Sequence, residues 1–151
     1  MTISLARRCA LATAGWAIAW ALLHPCVANA LCARGDEFLR RGDPRSADRY
    51  YVRAMRVDPD CAVAVERFTF SSLELRTLDD LRAAIHAADA YLAAHGSNRE
   101  IETDRALVLW VSGDEPRAAI ELRTVGTRAH DARLLRLAAI AEQRFAEVAL
   151  Q

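Results

Sequence analysis

An all-α fold is predicted, built as a short array of helix-turn-helix units, and three observations predict it. The composition suits helix: alanine is abundant, and the 151 residues hold only 6 Gly and 4 Pro. Apolar and small residues recur at helical spacing along most of the chain, and no stretch alternates as a credible strand would. Two Gly-Asp turns, at Gly42-Asp43 and Gly113-Asp114, lie 71 residues apart. That is about twice a 34-residue period with a small insertion between, and such a period marks repeated units.

The first thirty residues differ from the rest. Arg7 and Arg8 precede an apolar run from Cys9 to Leu23, His24-Pro25 is expected to break the helix, and Ala28-Asn29-Ala30 has the small-x-small pattern of a signal peptidase site. Residues 1–30 therefore read as a secretory signal cleaved after Ala30, leaving one helical domain over 31–151 for the periplasm or the exterior. The alternative is an uncleaved inner-membrane anchor, because no formal charge stands between Arg8 and Arg34 and the stretch is long enough to span a bilayer.

The unit Leu31 to Pro59 sets the pattern for the rest of the chain. Its first helix is expected over Ala33 to Arg41, with Leu31, Gly35, Phe38 and Leu39 on the packing face. Gly42-Asp43-Pro44 turns the chain, since glycine suits a left-handed helix end and proline cannot continue the helix. A second helix runs from Arg45 to Val57, with Ala47, Tyr50, Tyr51, Ala54 and Met55 at helical spacing, and Asp58-Pro59 stops it. Asp60 is placed to cap the third helix, Cys61 to Leu75, which carries Val65, Phe68 and Ser72 along one side. Arg76-Thr77-Leu78 is a turn without glycine. The fourth helix starts at Asp79 or Asp80 and reaches Ala94, with Leu81, Ala84, Ile85, Ala88, Tyr91 and Leu92 inward, and His95 to Asn98 closes it. The fifth spans Arg99 to Ser112, the sixth Pro116 to Val125, and a loop through Gly126 leads to the seventh, Asp131 to Gln143, with a short helical tail after it.

Charge and cysteines narrow the function. Net charge is zero and every basic residue is Arg, so nucleic acid is a poor partner. After removal of 1–30, 18 Arg face 20 carboxylates, and only Cys32 and Cys61 of the 4 Cys remain. In an oxidising compartment these two are a candidate disulfide, contributing about 3 kcal/mol by loop entropy. Equally, both are small buried residues that never meet.

The first unit resembles a tetratricopeptide repeat across its whole length. Gly35 and Phe38 stand where that family places a small and an aromatic residue, and Ala47, Tyr51, Ala54 and Pro59 match the small, aromatic, small and proline positions after them. The likeness loosens in the second unit, where Thr69 replaces the glycine, about three extra residues fall around Thr77–Asp80, and Ala84, Ala88 and Tyr91 are the counterparts. It returns in the third, with Ala106, Leu109, Gly113, Ala118 and Leu122. The resemblance implies a right-handed α-solenoid of about three units, with the last helix as cap. It also implies a scaffold that binds a protein or peptide on a concave face lined by first helices.

That face would present Asp36, Leu39 and Arg40, then Glu66, Phe70 and Leu73, then Thr103, Leu107 and Trp110. Phe70 and Trp110 are the candidate aromatic anchors, unless either packs beneath a neighbouring helix. Some members of the family grip a C-terminal carboxylate with Lys, Asn and Arg. This chain has no Lys, and Asn98 is its only asparagine beyond the signal, which speaks against that mode.

No catalytic or cofactor motif is present: no Cys-x-x-Cys, His-Glu-x-x-His, Gly-rich phosphate loop or Gly-x-Ser-x-Gly. His86 and Asp89 share a helical face, a spacing common by chance, and no metal site is expected. His95 suits the negative pole of its helix, and Glu100, Glu102 and Asp104 suit the positive end of theirs. Arg45, Arg49, Arg53 and Arg56 line one stripe of the second helix. They are either a site for an acidic partner or an anionic surface, or a solvated outer face with Asp48 as counter-charge. A non-catalytic exported scaffold is the expectation. The rivals are a thiol- or metal-linked ligand-binding protein of the cell envelope, using Cys32 and Cys61, and an anchored assembly subunit that touches the membrane through a retained residue 1–30 segment.

Overall fold

The computed structural model describes residues 5–148, with side chains described for 20–21 and 23–146. Its elements are α1 (Leu5–Arg40), α2 (Pro44–Val57), α3 (Ala62–Leu75), α4 (Leu78–His95), α5 (Arg99–Val111), α6 (Glu115–Arg128) and α7 (Ala132–Val148), with no strand among the described residues. Helices pair in order as α1/α2, α3/α4 and α5/α6. The first helix of each pair also packs on the first helix of the next, α1 on α3 and α3 on α5, while α7 lies along α6. Three stacked units and a last helix make an α-solenoid, as expected. No helix among the described residues is long and apolar enough to cross a membrane. Most side chains of the apolar run that begins at Cys9, and the tail residues 149–151, lie outside the described residues.

The two Gly-Asp turns share one geometry. Gly42 and Gly113 take φ of +77° and +91°, where glycine alone is unstrained. The next amide then donates back to the helix it leaves, Asp43 to the Phe38 carbonyl at 3.0 Å and Asp114 to the Leu109 carbonyl at 2.9 Å. The same aspartates start the next helix, each side chain accepting from an amide three residues on, Ser46 for Asp43 and Arg117 for Asp114. The turn without glycine is closed by Arg76, at φ +54°, and Thr77 caps α4 by accepting from the Asp80 amide.

Four sequence expectations need correction. His24-Pro25 does not break the helix: α1 continues through Pro25. Proline removes one amide donor there, and His24 Nδ1 donates to the Trp20 carbonyl at 3.0 Å. The segment is held by tertiary contact as well, since Ala28 is wholly buried and Cys32 nearly so in the main core. Gly126 lies inside α6 and not in a loop, because α7 packs so close that an added Cβ would meet Leu134 Cβ at 3.0 Å. Cys61, not Asp60, precedes α3 as its cap residue. Asp48 is buried on the inner side of α2, hydrogen-bonded by the Ser71 hydroxyl, and does not pair with the arginine stripe.

The main core joins Ala28 and Cys32 of α1, Ala47, Tyr51 and Ala54 of α2, Ala64 and Phe68 of α3, and Leu81 and Ala84 of α4. A second cluster, Ala106, Leu122, Val125, Leu134 and Ala138, binds α5, α6 and α7. Between the units Arg105 ties α4, α5 and α6 together, contacting Asp89 at 2.5 Å and Glu121 at 3.0 Å.

Candidate functional site

The face formed by α1, α3 and α5 carries two recesses. The first is about 370 Å³ and is lined by Leu39, Gly42, Pro44, Phe70 and Glu74. It exists because the left-handed turn at Gly42 carries the chain away from α1 while α3 presents Phe70, whose ring is 46 % exposed. A phenyl ring left this open offers a partner apolar area worth roughly 1 kcal/mol or more on burial. The second recess, about 380 Å³, is lined by Glu66 of α3, Arg99, Glu100, Thr103 and Asp104 of α5, and Asp131 and Leu134 at the start of α7.

The sequence-predicted residues divide among these places. Phe70 lines the first recess, and Glu66 and Thr103 line the second. Asp36 sits between α1 and α3, accepting a 2.8 Å hydrogen bond from the Tyr51 hydroxyl and lying 3.7 Å from Arg67, so part of its work is structural. Arg40 is exposed, and Leu107 is half-buried beyond both recesses. Leu73 packs on the main core, and Trp110 leans on the cluster of α5, α6 and α7.

Sequence reasoning read Glu100 and Asp104 only as a helix-dipole feature. The structure places both in the second recess with Glu66, and none of the three has an ion-pair partner among the described residues, whereas Arg99 is held by Asp131 at 2.6 Å. Register contains the missed signal. Asp104 follows Thr103 as Arg67 follows Glu66, one residue past the stripe taken as the face, so the lining is wider than three residues per helix. Burial first, then the charges of Glu66 and Glu100, push the Asp104 carboxyl up to about 6, partly offset by Arg67. A carboxyl raised in this way binds more protons folded than unfolded, so its effect is to lower stability as pH climbs from about 4 through about 6. Asp104→Asn removes that slope. With solvent access discounting the full shift, urea titrations should find the variant about 1 kcal/mol more stable than wild type near neutral pH and equal to it near pH 4. A gain of equal size at both pH values would contradict this origin.

Cys32 of α1 and Cys61 at the head of α3 are adjacent, and both are free thiols. His95 ends α4 with Nδ1 on the Tyr91 carbonyl and Nε2 3.0 Å from Asp60. Asp89, the partner considered for His86, is held by Arg105 and Arg117. Among the described residues no group of three or more His, Cys, Asp or Glu is arranged to hold a metal ion.

No protein-family model and no curated protein matches the sequence. Solved structures do match the fold. The Arabidopsis OM64 TPR domain superposes with a TM-score of 0.67 at 14 % identity, over 82 % of this chain and 98 % of that one. A tetratricopeptide repeat protein from Parabacteroides merdae ATCC 43184 gives 0.63 at 20 % identity, over 80 % of this chain and 47 % of that one. The chain has the tetratricopeptide-repeat fold.

Proposed function

We propose that this chain is a non-catalytic exported scaffold whose first-helix face holds a segment of another envelope protein. One observation carries the reading: an exposed Phe70 at one recess and three carboxylates without ion-pair partners at the next, on the face that α1, α3 and α5 build together. The segment that fits has an apolar side chain for the Phe70 recess and a Lys or Arg for Glu66, Glu100 and Asp104. The fold supports a protein partner because stacked units give an extended surface rather than an enclosed pocket.

A basic group beside Asp104 favours its ionised form, so binding releases a proton near pH 6. Peptides carrying one Phe and one Lys at varied separation supply the test, read by calorimetry in two buffers of different ionisation heat. Phe70→Ala should weaken binding at least about tenfold, and wild-type affinity should rise between pH 5 and pH 7. If no peptide binds better than its Lys-to-Gln form, or Phe70→Ala changes nothing, the groove reading fails.

A second reading keeps residues 1–30 attached as an anchor. It is favoured by the unbroken α1, by the burial of Ala28 and by His24 lying 3.6 Å from Asp58 at the end of α2. The intact mass of the exported chain separates the two: a start at Leu31 removes the anchor.

A further inference from the structure

A groove of about 640 Å³ lies away from the first-helix recesses, between α2 and the α3–α4 turn. One wall is Arg45, Arg49, Arg53 and Arg56 of α2. The floor includes Asp48, Val52, Phe68 and Leu75, and the other wall is Thr77, Asp79 and Asp80. We propose that this groove is a second binding site, for an extended acidic segment of a partner protein with Asp or Glu at alternate positions.

Three observations carry it. All four arginines are exposed, and among the described residues no carboxylate lies within ion-pair distance of any of them. Arg53 instead lies over the Tyr50 ring face, 5.6 Å from its centroid. Elsewhere carboxylates hold Arg34, Arg99, Arg105, Arg117, Arg123 and Arg128, whereas these four stand without an ion pair in succession along one helix face. The acid on the same helix, Asp48, lines the groove from below, where it accepts from the Ser71 hydroxyl and makes no ion pair with the stripe.

Spacing then selects the occupant. Successive arginines stand about one helical turn apart, near 5–6 Å, and the stripe runs about 16 Å. Alternate residues of an extended chain recur every ~6.6 Å, so three or so carboxylates on one side of a segment of about five residues meet the guanidinium row. Intervening side chains face Thr77, Asp79 and Asp80, which accept small, polar or basic groups. The same acidic wall argues against a flat anionic bilayer, which would press negative headgroups onto Asp79, exposed at the rim. A groove floored largely by Val52, Phe68 and Leu75, with Asp48 held by Ser71, also separates this site from a solvated charge stripe, which needs no groove.

The test uses the full chain and fluorescent nonapeptides with Glu at alternate positions, against the same peptide with Gln, in anisotropy titrations at low and moderate salt. The Glu peptide should bind at least about tenfold tighter, weakening with salt. Arg49→Glu with Arg53→Glu should abolish that preference, while Arg136→Glu, a charge change on α7, should leave it. Circular dichroism confirms that both variants fold, as all three positions are exposed. Equal binding of the Glu and Gln peptides, or equal loss in the α7 variant, overturns the proposal. So does capture by phosphatidylglycerol vesicles that depends on Arg49 and Arg53 without peptide binding, which would assign the stripe to a membrane surface. Failure of Phe70→Ala to matter would leave this result unaffected, since the two sites share no residue.

Discussion

Gly35→Ala is expected to destabilise the domain by about 2–3 kcal/mol, a large share of the stability of a chain this size. A Cβ at residue 35 would lie 2.4 Å from Tyr51 Cε1 and 2.9 Å from Cδ1 and Cζ. The ring cannot retreat. Tyr51 is wholly buried, its hydroxyl donates to Asp36 at 2.8 Å, and Ala47 and Ala54 are wholly buried one turn to either side. The methyl must therefore separate α1 from α2 or push the ring off its rotamer. Backbone strain is not the cause, because Gly35 lies within a regular helix. A double-mutant cycle isolates the clash. Tyr51→Leu alone should cost about 2–4 kcal/mol through the lost ring and hydrogen bond, and Gly35→Ala should cost little in that background. A coupling energy above about 1 kcal/mol from urea denaturation is the expected result. Strictly additive losses would mean that the ring is not what holds residue 35 to glycine.

The same pair explains why the first unit was legible and the others less so. What the fold demands at the crossing of two paired helices is a close, buried fit, and a glycine opposite an aromatic is only one way of meeting it. In the second unit the corresponding positions are Thr69 and Ala88, and in the third Ala106 and Leu122, all of them buried. The larger residue has moved to the other helix in the middle unit. Matching by residue type alone finds decay there, although both positions stay buried. Thr69 also meets its polar obligation locally, donating to the Val65 carbonyl at 2.7 Å. Gly126 misled in the opposite direction. Glycine usually announces a helix end, and here it marks the place where α7 comes closest to α6. Nor does sequence period alone reveal that Asp48 turns inward, since its partner Ser71 is supplied by another helix. Half of the site was visible for the same reason that the fold was: Glu66, Phe70 and Thr103 sit on a stripe that period predicts. Asp104 lies one residue past that stripe, and the approach of α3 and the start of α7, a tertiary contact that the stripe alone does not give, brings it and Glu100 into the site.

Oxidation is expected to join Cys32 to Cys61 and to stabilise the domain by about 3–4 kcal/mol at most, raising Tm by about 10 °C. The thiols are adjacent and hydrogen-bonded in the reduced chain, one in the wall of α1 and the other heading α3, where its side chain makes no capping hydrogen bond. The reaction takes two electrons and two protons from the pair and passes them to the disulfide of a donor such as oxidised glutathione. Its order follows from burial. Cys32 is nearly inaccessible and its thiol is pushed up to about 12, first by desolvation and next by Cys61 beside it. Cys61, half-buried, is the sulfur that the oxidant reaches, and Cys32 must then displace the leaving thiol through a scarce thiolate. Closure should therefore be slow near neutral pH and quicken about tenfold per pH unit. In a chain with Cys9→Ser and Cys26→Ser, titratable thiols should fall from two to none, with Tm rising and returning on reduction. Cys61→Ser should abolish both changes, and Cys32→Ser should stop at the mixed disulfide on Cys61. Persistence of two thiols at equilibrium, or bonds only between chains, would show that α1 and α3 cannot bring the sulfurs together. A bond that forms ties residue 32 to the second unit, so the head of the first unit stays docked whether or not residues 1–30 remain, and the Phe70 recess keeps both of its walls.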